Sequence, residues 1–243
     1  MAWWRTVLAR LLELGYVQSK LDSGIFYKYN SRGKLTSMLT IHVDDLLVTG
    51  TDADVQYLRE NLGFEIGSWK TSEFVYCGVH YKQDASYAVH YDMASYELMS
   101  DKVETSGSYS DDGDMLTAAD VSKCRSAIGN LAWYCSRMRP ECIVSVNKAA
   151  QHIFTYKAVK LINKVVKQLD LEKVEYMSFL PLELDSLDTL HLVAMSDAAY
   201  GDPSQLGASY LLCGSEAKHG LVGRSVRCNL LHFETKVRKG LRS

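Results

Sequence analysis

Asp44 and Asp45 are adjacent carboxylates set between two β-rich runs, Leu35 to Val43 and Leu46-Leu47-Val48. Like charges held this close repel unless something positive lies between them. A divalent cation is the usual answer. Mg²⁺ takes carboxylate oxygens together with waters and substrate phosphates, and paired metals stabilise the attacking and leaving oxygens of phosphoryl transfer. Neighbouring side chains of a regular strand point to opposite faces, whereas at a tight turn both can approach one site. The competing reading is a solvent-facing turn that uses Asp for its turn propensity.

Other chemistries find less in the sequence. Cys213, His219, Cys228 and His232 carry zinc-capable side chains at a C-x5-H-x8-C-x3-H spacing, but neither half is a CxxC or a familiar knuckle. There is no GxxxxGKS/T loop, no GxGxxG after a strand and no GxSxG elbow. Lys157, Lys160, Lys164 and Lys167 form a basic stripe beside the apolar stripe Val159, Ile162, Val166 and Leu169. Such a face either contacts a polyanion or is simply solvated.

The elements that must position these residues follow from periodicity. Trp4, Leu8, Leu11 and Leu12 predict a helix over residues 2–14, with Gly15 as its C-cap. Ile25 to Tyr29, Leu35 to Val43 and the run from Leu46 predict three antiparallel strands, the first two joined at Asn30-Ser31-Arg32-Gly33. Thr51-Asp52-Ala53-Asp54 starts a helix that ends at Gly63. Strands are expected near 64–69, 74–82 and 86–91, then a helix from Ala94 to Val103. Glu104 to Asp114 is polar, acidic and Gly/Ser-rich, and reads as an exposed linker. Three helices are expected over 119–138, 141–154 and 157–169. The β pattern returns at Leu190 to Ser196, Gly207 to Cys213 and Leu230 to Val237.

Composition sets the outer bounds. The 243 residues are 47% hydrophobic and 23% charged, enough for a sizeable core in one or two domains, and no apolar run is long enough to span a membrane. The opening Met1-Ala-Trp-Trp-Arg5 lacks a signal-peptide pattern, so an intracellular, cytoplasmic location is expected. The six cysteines form no regular framework and read as reduced, mostly buried thiols. The net charge of −2 hides segregation. Asp84 to Asp120 holds nine acids and one Lys, whereas Lys123 to Lys173 holds ten basic residues and three acids. The tail from Lys218 adds seven basic residues against Glu234 alone, so a polyanion should meet the middle helices and the tail.

Ile41-His-Val-Asp-Asp-Leu-Leu-Val-Thr-Gly50 resembles the Tyr-Val-Asp-Asp core of copia-type LTR-retrotransposon reverse transcriptases. Ala2-Trp3-Trp4, Leu11 to Ser19 and Asp22-Ser23-Gly24-Ile25-Phe26-Tyr27 resemble that family's approach to its catalytic hairpin. Downstream, Cys124 to Trp133, Arg139-Pro140-Glu141 and Lys157-Ala-Val-Lys160 are similar to its Tyr-Arg-Ser…Gly-Ser-Leu, Thr-Arg-Pro-Asp and basic-helix signatures. Ser196-Asp197-Ala198-Ala199-Tyr200-Gly201-Asp202 resembles the opening of its RNase H domain. The matches are ordered and span nearly the whole chain.

The resemblance implies an α+β fold. A palm-like antiparallel sheet with helices would cover residues 1–104 and an acidic linker 105–118. A helical thumb or connection would cover 119–189, and an incomplete RNase H-like sheet 190–243. It implies Asp44 and Asp45 as polymerase metal ligands, His42 and Val43 beside primer end and nucleotide, and Asp197 as the first metal-binding carboxylate of RNase H. It implies Lys157, Lys160, Lys164 and Lys167 as nucleic-acid contacts, and Mg²⁺ or Mn²⁺ as cofactor. The partners would be an RNA template, a DNA primer, dNTP and the rest of a polyprotein, within a cytoplasmic virus-like particle and with no membrane. The chain departs from the family pattern at His42 in place of Tyr, Glu141 in place of Asp and Ala199 in place of Asp, and in a shortened loop near Thr155-Tyr156. The family's upstream palm Asp would fall before Met1 and its RNase H Glu beyond Ser243, so the expectation is a polymerase fragment inactive alone. The alternatives are a non-catalytic nucleic-acid-binding remnant or a decayed transposon fragment.

Overall fold

Val7, Leu11 and Leu14 recur at the i, i+4, i+7 spacing of one helical face, and Ala2–Glu13 forms helix α1, ended by Gly15 at φ +84°. A computed structural model describes this helix within residues 2–65, 67–98, 101–171, 174–182, 190–199, 204–215, 217 and 228–238. The chain divides into two units, Met1–Cys77 and Gly78–Ser243.

In the first unit, β1 (Tyr16–Gln18), β2 (Ile25–Tyr29), β3 (Leu35–His42) and β4 (Asp45–Gly50) form an antiparallel sheet in that order. Alternation puts Phe26, Leu39, Ile41, Leu46 and Val48 on one face. There they pack with Val7, Leu11 and Leu14 of the first helix and its turn, and with Leu58 and Leu62 at α2 (Asp52–Asn61). Thr51 caps α2 by accepting from the Asp54 N–H. The Arg10 guanidinium donates twice to the Asn61 carbonyl, at 2.8 and 2.6 Å, satisfying an orphan acceptor at the other end of α2. Lys28 lies 3.1 Å from Asp54 and over the Tyr57 ring, which gives the ammonium a partner at the polar edge of this face. Strand β5 (Glu73–Tyr76) ends the unit.

The second unit is built on helices α3 (Ala118–Met138), α4 (Ile143–Gln151) and α5 (Tyr156–Leu171), with a 3₁₀ turn at Pro140–Cys142. Val121, Cys124, Ala127, Leu131 and Cys135 form the buried stripe of α3, against Val146 and Ala149 of α4 and Ala158, Ile162, Val165 and Leu169 of α5. Strands β6 (Val79–Gln83), β7 (Val89–Asp92) and β8 (Met177–Phe179) are consecutive antiparallel neighbours. His90 fastens them, its ring nitrogens 2.7 Å from Ser178 Oγ and 3.2 Å from Asp84 Oδ2. Strands β9 (His191–Ala199), β10 (Ser204–Cys213) and β11 (Cys228–Arg238) form a sheet in the order β11-β10-β9. Asn229 bonds both the N–H and the carbonyl of Leu180, pairing its amide like a strand end.

The architecture is α+β with antiparallel sheets. No helix among the described residues is long and apolar enough to cross a membrane. Cys124, Cys135, Cys142 and Cys213 are buried, Cys77 is half-buried and Cys228 is exposed.

Three expectations need correction. No helix forms over the described residues of 94–103: Asp92 accepts from the Ala94 N–H, and this Asx turn redirects the chain at the point where the helix should begin. No strand forms over the described residues of 64–69, where Phe64 and Trp69 fold inward onto the first core. The expected strands at 74–82 and 86–91 become β5, β6 and β7, because Cys77 and Gly78 both take positive φ and bend the first run in two. Strands β1 and β8, too short for a period to show, were not expected.

The acidic stretch 104–114 lies within the second unit and is fastened to α3. Asp120, fully buried, accepts from the Ser106 N–H and hydroxyl at 2.9 Å, from the Tyr109 hydroxyl at 2.8 Å and from the Thr117 hydroxyl at 3.0 Å. Lys160 adds a 2.7 Å bond to Asp112. The Ser106 N–H, with the Tyr109, Ser106 and Thr117 hydroxyls, holds the Asp120 carboxyl far below the ordinary aspartate range. A depressed folded pKa contributes stability that is complete above the unfolded value, about 3.9, and is lost as pH falls below it. Asp120→Ala should therefore open residues 104–116 to limited proteolysis at neutral pH. It should also flatten the acid limb of the stability curve below about pH 4, measured by urea unfolding.

Candidate functional site

Strands β3 and β4 are joined by two residues, Val43 and Asp44, closed by the facing pair His42 and Asp45. Val43 has φ +58°, and Asp44 is not among the residues with positive φ. A two-residue hairpin with positive φ at its first central position alone has the type II′ signature, where Gly is the preferred residue. A β-branched side chain at positive φ is strained by about 1–3 kcal/mol. Outliers of this kind persist where the surroundings over-determine them, and they cluster at functional sites.

The surroundings are visible. The Trp3 indole N–H of α1 donates to the Val43 carbonyl at 3.1 Å, across forty residues of sequence, and its ring meets Phe64 edge-on at 5.2 Å. Asp44 and Asp45 are both exposed and both line a cleft of about 550 Å³, with Trp3, Phe64, Glu65, Trp69, Lys70 and Tyr76 among its walls. Burial pushes the Tyr76 phenol up; its hydrogen bond with Thr40 opposes this, and the negative charge of Asp45 adds to it.

Asp44, in the turn, and Asp45, the first residue of β4, both border one cavity. A cation there would have two carboxylates from the protein and would take the rest of its shell from water and ligand phosphates, a set that suits Mg²⁺. Lys70 supplies a positive charge for an anionic ligand, and the aromatic walls suit flat, apolar groups. Among the described residues no group of three or more His, Cys, Asp or Glu side chains converges as a metal site.

Comparison with known proteins finds no matching family model, curated protein or solved structure.

The other expected site residues are placed separately. His42 and Val43 are exposed at the hairpin tip. The backbone of Asp197 pairs with Gly207 between β9 and β10, while its side chain, like residues 200–203 and the tail from Lys239, lies outside the described residues. On α5, Lys157 is half-buried, Lys160 is exposed and bonded to Asp112, and Lys164 and Lys167 are exposed. Of the zinc-capable set, Cys213 and Cys228 face each other across β10 and β11, and His219 lies outside the described residues.

One feature of α3 escaped the sequence reading. Arg125, Gly129, Trp133 and Arg137 stand four residues apart on the face opposite the buried stripe. Arg125, Gly129 and Trp133 are exposed, the space beyond Gly129 is open, and Arg137 stacks on the Trp133 ring at 3.3 Å. The i, i+4 repeat was legible, but the stronger apolar period of the same helix masked it.

If Val43 carries strain, Val43→Gly should stabilise the chain by about 0.5–1 kcal/mol, the relief exceeding the entropy that Gly adds to the unfolded state. Val43 is 73% exposed, so little burial is lost. Urea unfolding reads the change, and a destabilised variant would show that the turn is not strained.

Proposed function

We propose that this chain is a portion of an RNA-directed DNA polymerase of the copia-type retrotransposon class, in which the Asp44-Asp45 turn contributes to the metal site of nucleotidyl transfer. The observation that carries the reading is the hairpin whose Asp44 and Asp45 both border one cleft, the two residues to which the motif resemblance assigns the metal. The antiparallel sheet flanked by α1 and α2 is compatible with a palm. The sheet β11-β10-β9, with Asp197 on its edge strand, is compatible with the opening of an RNase H-like domain.

Mg²⁺ or Mn²⁺ bound to these carboxylates would stabilise the attacking and leaving oxygens of phosphoryl transfer. The protein's share is to hold and orient. Asp44 and Asp45 anchor the cation, and Lys70 draws the anionic ligand into the cleft. His42 and Val43 form the exposed tip beside the primer end and incoming dNTP. In the second unit, nucleic acid meets the exposed face of α3. Arg125 and Arg137 take phosphates there, Gly129 admits the backbone closely, and Trp133 gives an apolar platform for sugar or base. Lys164 and Lys167 extend the positive surface on α5. The remaining partner is the rest of a polyprotein, in a cytoplasmic particle.

The chain alone does not catalyse synthesis in this reading. Asp44, Asp45 and Glu65 are the acidic residues that line the cleft, and among the described residues no group of three or more His, Cys, Asp or Glu side chains converges as a metal site. Two-metal chemistry needs ligands from separate strands, and in-line positioning of primer and nucleotide can account for about 7–11 kcal/mol of a barrier. A non-catalytic nucleic-acid-binding role is the second reading, favoured by the α3 face, which needs no metal.

Primer extension separates the two. Residues 1–243 with Mg²⁺ or Mn²⁺ should yield no product on an RNA template. A chain supplying a further palm carboxylate should extend the primer, and Asp44→Asn should abolish that activity. An extended chain that stays inactive favours the binding role. Binding to an RNA–DNA duplex, followed by fluorescence anisotropy, should weaken steeply with salt. Replacing Arg125 and Arg137 by Ala should reduce the log–log salt slope by about two, at roughly 0.9 per phosphate contact. An unchanged slope would remove α3 from the interface.

A further inference from the structure

The indole of Trp3 is the group that reaches the strained turn from outside the sheet. It donates to the carbonyl of Val43, the residue whose φ is +58° and whose neighbours are the two cleft carboxylates. The ring is fixed at its other edge by Phe64 and forms part of the same cleft wall as Asp44 and Asp45. Trp3 is 43% exposed, so packing alone explains the side chain poorly. A two-residue hairpin with Val at its first central position has cheaper conformations available, and a donor aimed at that residue's carbonyl selects against them.

We infer that Trp3 is a positioning residue. Its indole N–H locks the Val43 carbonyl and thereby holds Asp44 and Asp45 in the geometry that presents both to the cleft. The inference deepens the polymerase reading and rests on it for the purpose of the lock, while the lock itself can be read without any metal. Trp3 hydrogen-bonds to neither carboxylate; it acts through the peptide between Val43 and Asp44.

A cycle of Trp3→Phe and Val43→Gly in the chain 1–243 tests it. Phe keeps the ring and loses the donor; Gly removes the strain the donor opposes. Hydrogen exchange of the amides of residues 41–47 is the first readout. Trp3→Phe should accelerate exchange there about five- to tenfold while leaving the amides of α2 unchanged. In the Val43→Gly background the same substitution should change it less than twofold. Equal acceleration in both backgrounds, or none in either, overturns the inference, since Trp3 would then act by packing or not at all. Should Trp3→Phe unfold, NMR of the unaltered chain decides: the Trp3 indole N–H should be protected from exchange, and exchange at the rate of a free indole overturns the lock.

Mn²⁺ titration followed by EPR is the second readout and addresses the deeper reading. Mn²⁺ binding that Asp45→Asn abolishes, and that Trp3→Phe weakens about fivefold, supports both. If a chain that supplies the further palm carboxylate shows no Mn²⁺ binding sensitive to Asp45, the polymerase reading fails, and the exchange cycle still decides whether Trp3 holds the turn.

Discussion

The link between β3 and β4 is two residues long, and that shortness constrains the whole of the first unit. With Val43 and Asp44 in the turn, His42 must face Asp45, and every later pair in the ladder is fixed by that one. Side chains alternate with a period of two, so a slip of one residue would exchange the two faces of β4. As it stands, Leu39, Ile41, Leu46 and Val48 share the face covered by α1 and α2, and Asp45 falls on the other, near Tyr76. The register that completes the core is therefore the register that presents the carboxylates. The positive φ of Val43 is the local cost of satisfying both.

Two kinds of carboxylate in this chain illustrate opposite solutions to the same problem. Asp120 is buried and surrounded by donors, so its charge is spent inside the fold, tying residues 104–117 to the start of α3. Asp44 and Asp45 are exposed and stand side by side, so the field around them remains available to a ligand. The first arrangement is what structure requires of a buried charge. The second leaves repulsion for a cation to relieve, which is why the turn rather than the acidic stretch is the candidate site.

Lys160 is bonded to Asp112 and so joins α5 to the acidic stretch. Arg125 and Arg137 lie along a face of α3 with a small residue and an aromatic ring between them, Arg125 over the Phe154 ring and Arg137 donating to the Trp133 carbonyl and the Ser136 hydroxyl. Such a face offers charge, close approach and a stacking surface together, the three things a nucleic-acid backbone and its bases can use.

Much of the secondary structure was legible in the sequence, because α1, α3 and α5 and strands β2, β3 and β9 to β11 carry long, regular hydrophobic periods and α2 has an explicit start at Thr51. A short turn beside the Asp-Asp pair was legible for the same reason, since the flanking runs are strongly β, but it falls one residue earlier than expected, on Val43 and Asp44, with Asp45 opening β4. The sequence could not decide where local polar bonding outcompetes a weak helical pattern, as Asp92 does at Ala94. Nor could it show that Asp120 fastens the acidic stretch, because composition counts charges and does not reveal their donors. The cleft itself, and the indole of Trp3 reaching Val43 from forty residues away, belong to tertiary structure alone. Sequence determines which side chains can do the chemistry, but their convergence depends on register and packing between segments distant in the chain, which no local pattern encodes.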